Sequence, residues 1–270
     1  MYDLKDKVMI VTGAGSGMGR ELTLQLARKG VKVAACDINE ETLAETKTLV
    51  SDPALIKTYV LDVSDSAKVT EFPKKVKSDF GNLHGIINNA GIIQPFVKFM
   101  DLSEKSIDRV MNINFYGVIN LTRAVALELD ATTDTFIANV SSMGGFLPVP
   151  GQGIYGASKA AVKLFTEALY AEMKGTSVHV SVIFPGAIAT NISANSMEDK
   201  PKESSAPSDS AAKHKTTPAD VAAGIIIKGI EKGKLKIFVG GDSKMMDKLY
   251  RLMPVKSIDM MANLINKMTK

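Results

Sequence analysis

The chain has 270 residues and a net charge of +4, with 45% hydrophobic and 23% charged residues. That is enough chain to bury a large core, and α/β folds of this length often run as one unit. The weak, evenly spread charge argues against nucleic acid, the single cysteine excludes an internal disulfide, and no apolar run approaches the ~20 residues that span a bilayer.

The first apolar run, Lys7–Thr12, reads as a strand that ends at glycines, with no signal peptide before it. A reducing, cytoplasmic setting is the expectation. Met18–Lys29 has helical spacing at Leu22, Leu26 and Ala27, and Gly30 stops it. Val31–Cys36 is the next strand, in which Cys36 reads as a buried thiol. Glu40–Val50 is helical and Ile56–Leu61 a strand; Ala67–Asp79 is helical and Leu83–Asn88 a strand. A long helix is predicted over Ser103–Leu129, then a strand over Thr135–Ser141, a helix over Tyr155–Met173 and a strand over Ser177–Phe184. Asn191–Thr217 breaks the pattern as a long polar loop; Ala219–Glu231 is helical, Leu235–Val239 is a last strand, and the tail beyond Asp242 is helical in composition. Continuous apolar strands alternating with helices predict a parallel, doubly wound sheet covered on both faces.

The turn between the first strand and helix reads Thr12-Gly13-Ala14-Gly15-Ser16-Gly17-Met18-Gly19. Glycines allow close approach to a pyrophosphate, and the following helix offers amides and a positive dipole end. Asp37 ends the second strand 18 residues after Gly19, the placement of an acid that bonds the adenosine ribose. A 2′-phosphate would meet that carboxylate, and neither Ser16, Ile38 nor Asn39 supplies a cation, so NAD is favoured over NADP. The plainer reading makes Asp37 a cap for the next helix.

Tyr155 and Lys159 stand four apart, on one face of a helix. A nearby ammonium favours phenolate and is expected to lower the tyrosine pKa. Such a pair is commonplace by itself. With the glycine turn, Asn88-Asn89-Ala90-Gly91, the asparagine of Asn114-Phe115-Tyr116-Gly117, Ser142 placed 13 residues before Tyr155, Tyr155-Gly156-Ala157-Ser158-Lys159, and Pro185-Gly186 followed by Thr190, the chain resembles the short-chain dehydrogenases/reductases over about residues 5–242. The matching motifs are TGxxxGxG, NNAG, NxxG, YxxxK and PGxxxT, in the family's order.

The resemblance implies a Rossmann domain over 1–242 with a parallel sheet of about seven strands, a substrate lid over 190–217, and a helical C-terminal extension over 243–270. It implies that Tyr155 exchanges the proton at the substrate oxygen, that Ser142 polarises the carbonyl, and that Lys159 binds the nicotinamide ribose. Asn114 then holds a relay water. Ser141 is the rival of Ser142, disfavoured by spacing. Gly13, Ser16, Gly17, Met18, Gly19, Asp37 and Ile38 would contact the cofactor, as would Asp62 and Val63 at the adenine and Asn89, Ala90 and Gly91 at the ribose. Pro185, Gly186, Ile188 and Thr190 would fix the carboxamide and pyrophosphate. No metal is implied: His84, His179 and His214 are scattered, without zinc-ligand spacing.

Met143, Gly144, Gly145, Phe146, Leu147 and Ile154 near the expected pocket are neutral, and no arginine is expected at its wall. A hydrophobic secondary alcohol or ketone, steroid-like, retinoid-like or long-chain, is the expected substrate. The lid carries Lys200, Lys202, Lys213 and Lys215. In the tail, six methionines accompany Leu249, Leu252, Val255, Ile258, Leu264 and Ile265; Pro254 divides it into two helices, and its lysines and Arg251 outnumber Asp247 and Asp259. It reads as an oligomer contact in a homodimer or homotetramer, a pocket border, or a less favoured peripheral membrane contact. A non-catalytic NAD-binding sensor or scaffold is the alternative function. An enoyl reductase or sugar epimerase fits less well, on Tyr-Lys spacing and on C-terminal size.

Overall fold

A computed structural model of the chain describes residues 1–189 and 216–268. Seven strands, β1 (Val8–Thr12), β2 (Lys32–Asp37), β3 (Ile56–Val60), β4 (Gly85–Asn88), β5 (Thr135–Val140), β6 (Val178–Pro185) and β7 (Lys236–Val239), pair in parallel in the order β3-β2-β1-β4-β5-β6-β7. All five residues of β1 are buried. Met9 and Val11 pack with Leu22 and Leu26 of α1 (Gly17–Arg28), Leu43 of α2 (Glu40–Thr48) and Ile226 of α7 (Ala219–Glu231). Val8 and Ile10 face the other way, onto Phe72 of α3 (Ser66–Phe80), Leu121 of α5 (Gly117–Ala126) and Leu169 of α6 (Gly153–Glu172). Burial on both faces is why the strands read as unbroken apolar runs. The chain order reverses between β1 and β4, which opens a crevice at the carboxyl ends of the strands.

Two predicted elements need correction. The helix expected over Ser103–Leu129 is α4 (Glu104–Met111), a π-helical turn (Asn112–Tyr116) and α5 in succession. The apolar spacing continues through the turn, so periodicity does not reveal the widened hydrogen bonding. α6 begins at Gly153, two residues before Tyr155, because its first turn is held by a side chain far away in sequence. The tail does divide at Pro254, into α8 (Gly241–Leu252) and α9 (Pro254–Met268). α8 packs on β7 and on the short turn Met143–Gly145, and α9 packs on α8. Ser243 anchors α8 by donating to the Phe184 carbonyl at 2.8 Å. Among the described residues no helix is long and apolar enough to cross a membrane.

Candidate active site

The carboxyl ends of β1, β2, β4, β5 and β6 surround one cavity. The glycine turn forms its floor. Gly13 and Gly17 have φ of +66° and +49°, a region that glycine enters without penalty. A Cβ on Gly19 would overlap the Gly13 carbonyl oxygen, so the helix can start this close to the turn only with glycine there. Ser16 stands at the N-cap of α1 without a side-chain cap bond, and Gly17 and Met18 of the first helical turn line the cavity. Arg20 braces the turn from behind: its Nε donates to the Gly15 carbonyl at 3.0 Å, and its guanidinium pairs with Glu45 at 2.7 Å.

Asp37 is not the cap of α2. Asn39 takes that role, accepting from the Thr42 amide at 3.0 Å. The Asp37 carboxylate instead accepts from the Gly15 amide at 2.9 Å and the Asn39 amide at 3.0 Å, and it lines the cavity beside Ile38. Each oxygen keeps acceptor capacity for a hydroxyl. Asp62 and Val63 also line the cavity, with Asp62 Oδ1 accepting from the Ser64 amide at 2.8 Å.

The residues after β4 are tied to β1. Thr12 Oγ1 accepts from the amides of Asn89 and Ala90 at 2.9 and 2.8 Å. Asn88 turns inward instead and donates to Thr122 and Asn139, a buried polar ladder across β4 and β5. Asn114 is fully buried and does not line the cavity. Its amide accepts from the Ile92 N–H and donates to the Ile92 carbonyl, both at 2.9 Å. A Cβ on Gly91 would lie 3.2 Å from both Asn114 Oδ1 and Lys159 Nζ, so the buried Asn114 backs Gly91 and Lys159 at the cavity wall.

Ser142, Tyr155 and Lys159 line the same cavity. Ser141 also reaches it, but its hydroxyl donates to the Lys159 carbonyl at 2.7 Å and is structural. Ser142 accepts from the Gly144 amide at 3.1 Å and hydrogen-bonds the Tyr155 hydroxyl. Lys159 is 3% exposed, and its ammonium donates to the Val140 carbonyl at 3.0 Å. Burial pulls the Lys159 pKa down to about 8. The Tyr155 pKa does not fall as expected. Burial of the hydroxyl raises it, and the Ser142 hydrogen bond offsets part of the rise.

Pro185, Gly186 and Ile188 complete the wall at the end of β6. Asp242 shapes this corner by accepting from the Ala187 amide at 2.9 Å. Thr190, His214 and the lid lysines Lys200, Lys202, Lys213 and Lys215 lie outside the described residues. A further correction concerns charge: Arg109 of α4 lines the cavity together with Ile113. The sequence conceals Arg109 because it lies on a helix face three residues before the π turn, away from every motif. Of the neutral residues expected at the pocket, Gly145 and Leu147 are buried in the core; Met143, Gly144, Phe146 and Ile154 are half-buried around Ser142 and Tyr155. None of the six lines the cavity, and none of the described tail residues does either. His84 accepts from the Val8 amide, and His179 pairs with Asp134, both remote from the cavity.

Residues 7–201 match the family profile described as short chain dehydrogenase. The Mycobacterium tuberculosis protein named as oxidoreductase SadH is 37% identical over 261 residues, covering 94% of this chain and 93% of that protein. The 3-oxoacyl-[acyl-carrier-protein] reductase FabG of Thermotoga maritima is 36% identical over 188 residues, 69% of this chain and 76% of that protein. A short chain dehydrogenase/reductase from Burkholderia phymatum, solved in complex with NAD, superposes with a TM-score of 0.81 at 29% identity, covering 88% of this chain and 90% of that one.

Proposed function

The chain belongs to the short-chain dehydrogenase family of oxidoreductases, and within it we propose an NAD-dependent enzyme that interconverts a secondary alcohol and a ketone. The observation that carries the reading is the convergence of Ser142, Tyr155 and Lys159 on the cavity floored by the glycine turn and bounded by Asp37. The residues fit a dinucleotide. Gly13 and Gly19 form a cradle that a Cβ would fill, the first turn of α1 faces it, and Asp37 is placed to accept from ribose hydroxyls. Arg20, the cation nearest the turn, is already committed to the Gly15 carbonyl and Glu45, which supports NAD over NADP.

A bound nicotinamide supplies the hydride that adds to the carbonyl carbon. The protein's part is to hold and move a proton. Ser142 donates to the substrate oxygen, and the Tyr155 hydroxyl gives that oxygen its proton as the C–O π bond breaks; in the reverse direction Tyr155 takes the proton back. Lys159, held by the Val140 carbonyl and flanked by Gly91 and Asn114, restores charge balance beside the tyrosine. Burial raises the Tyr155 pKa, so the hydroxyl holds the proton that it gives to the substrate oxygen.

The substrate is read as hydrophobic from Ile92, Ile113, Val140 and Ile188 of the cavity lining, with Arg109 as the one cation among the described cavity-lining residues outside the catalytic set. Exposed Tyr116 and Leu164, together with Leu252 and Val255 of the tail, support a homodimer or homotetramer. The test is a cofactor-linked absorbance screen with NADH and NADPH against ketones graded from acetone through a long-chain methyl ketone to a steroid ketone. Faster turnover with NADH, rising with ketone size, is expected. Turnover only with NADPH, or none with any ketone, would refute the reading.

A further inference from the structure

The helix that carries Tyr155 and Lys159 has no cap of its own. Gln152 occupies the N-cap position of α6 and makes no capping bond. The amides of Ile154 and Tyr155, the second and third residues of the helix, both donate to Oε1 of Gln94, at 2.8 and 2.9 Å. These are the N–H groups that an N-cap serine or aspartate ordinarily satisfies. Here a glutamine about sixty positions upstream does so.

The other end of Gln94 is fixed as firmly. Its Nε2 donates to the Gly151 carbonyl at 3.0 Å, and its own carbonyl accepts from Gln152 Nε2 at 3.1 Å. The side chain is 3% exposed. Its partners determine its orientation: a reversed amide would aim its NH2 at two N–H donors and its oxygen at a carbonyl. Gly151 has φ +82°, and a Cβ there would press on the Phe96 ring at 3.0 Å. The turn that offers its carbonyl to Gln94 therefore requires glycine.

Gln94 also stands three residues beyond Gly91 and two beyond Ile92, which Asn114 clamps at both its amide and its carbonyl. The loop that borders the cofactor side of the cavity is thereby joined to the first turn of the catalytic helix. We propose that Gln94 is a positioning residue for Tyr155: its side-chain oxygen holds the start of α6 against the loop after β4, so that the tyrosine hydroxyl stays at Ser142. This inference rests on the reading of Tyr155 as the proton-transfer group. Losing one cap is a small change for a fold of this size, whereas a drift of about 1 Å in a reacting group costs roughly a hundredfold in rate. The effect belongs in turnover.

Two variants test it. Gln94→Leu removes the acceptor at similar volume; Gln94→Glu keeps an oxygen at both amides and gives up the donor to Gly151. Turnover is measured with the fastest ketone of the screen, NADH affinity by fluorescence, and the isotope effect with NADH deuterated at the transferred position. We expect Gln94→Leu to lose at least about tenfold in kcat, with a larger isotope effect and NADH affinity within about twofold, and Gln94→Glu to recover most of the loss. The proposal is overturned if Gln94→Leu keeps kcat within about twofold. It is equally overturned if kcat and NADH affinity fall together, the isotope effect is unchanged and glutamate gives no rescue, because that pattern marks a merely structural role. Tyr155→Phe in the same assay separates the two claims. If it is inactive while Gln94→Leu is normal, only the Gln94 assignment fails; if it turns over normally, both fail.

Discussion

The carboxylate of Asp37 accepts the Gly15 amide at 2.9 Å, so the residue proposed to select the cofactor also holds the turn proposed to bind its phosphates. This double use predicts a split between two substitutions. Asp37→Asn keeps an acceptor for Gly15 but turns an NH2 toward the Asn39 amide, so it should lower the melting temperature only slightly, while the ratio of kcat/KM for NAD over NADP falls by about tenfold or more. Asp37→Ala should lose both the ratio and several degrees of melting temperature. Initial rates with each cofactor and a thermal melt check both; an unchanged ratio in Asp37→Asn would remove Asp37 from cofactor selection.

Gly19 has no room for a methyl group, since a Cβ would overlap the Gly13 carbonyl oxygen. Gly19→Ala should force the turn away from α1, cost about 1–3 kcal/mol by overpacking, and abolish measurable NADH binding. A fluorescence titration and a denaturant melt read the two effects. Wild-type NADH affinity in this variant would contradict the assignment of the turn.

Lys159 carries its charge at a cost. Its pKa falls to about 8 in the folded chain from an ordinary 10.5, because the ammonium is buried. Between those two values the unfolded chain holds a proton that the folded chain has released, so stability rises with pH across that window; below it the whole cost is present. Lys159→Met removes the charge and loses the bond to Val140. The shift corresponds to roughly 3 kcal/mol, and after the lost hydrogen bond we expect a gain of about 2 kcal/mol at neutral pH. The melting temperature should rise by about 4–8 °C, while turnover falls by about a hundredfold or more. A lower melting temperature would refute this account of the lysine.

Much of this arrangement is legible from the amino-acid order, and the exceptions share one cause. β1, β2 and β4 lie buried on both faces, so their residues read as plain apolar runs, and the glycine turn follows β1 while Asp37 closes β2. Gln94 and Asp242 escape such a reading because each acts on backbone far from it in sequence, Gln94 on Tyr155 and Asp242 on Ala187; Arg20 reaches back only five residues to Gly15, but its ion-pair partner Glu45 lies on the next helix. The Tyr155 pKa went the opposite way for a related reason. The four-residue spacing shows that Lys159 is near, but not that its ammonium is bonded to Val140 or that the phenol is desolvated.

The tail gives a prediction that separates its two helices. α8 packs on the Met143–Gly145 turn next to Ser142, whereas α9 rests on α8 and buries little beyond Ser257 and Met261. Ending the chain after Met253 should leave kcat within about threefold, and ending it after Gly240 should reduce kcat by about tenfold or more as the turn beside Ser142 loosens. Sedimentation of the shorter chains reports whether α9 joins subunits. Equal loss in both truncations would show that α8 gives Ser142 no particular support.

The central claim is that Tyr155 moves the proton while the rest of the cavity holds the cofactor. Steady-state turnover of a Tyr155→Phe enzyme, measured beside its NADH dissociation constant, tests this most directly. The account predicts a fall in kcat of roughly a hundredfold to ten-thousandfold with NADH affinity preserved within about twofold. Turnover within about threefold of the wild type, with NADH bound as before, would contradict it.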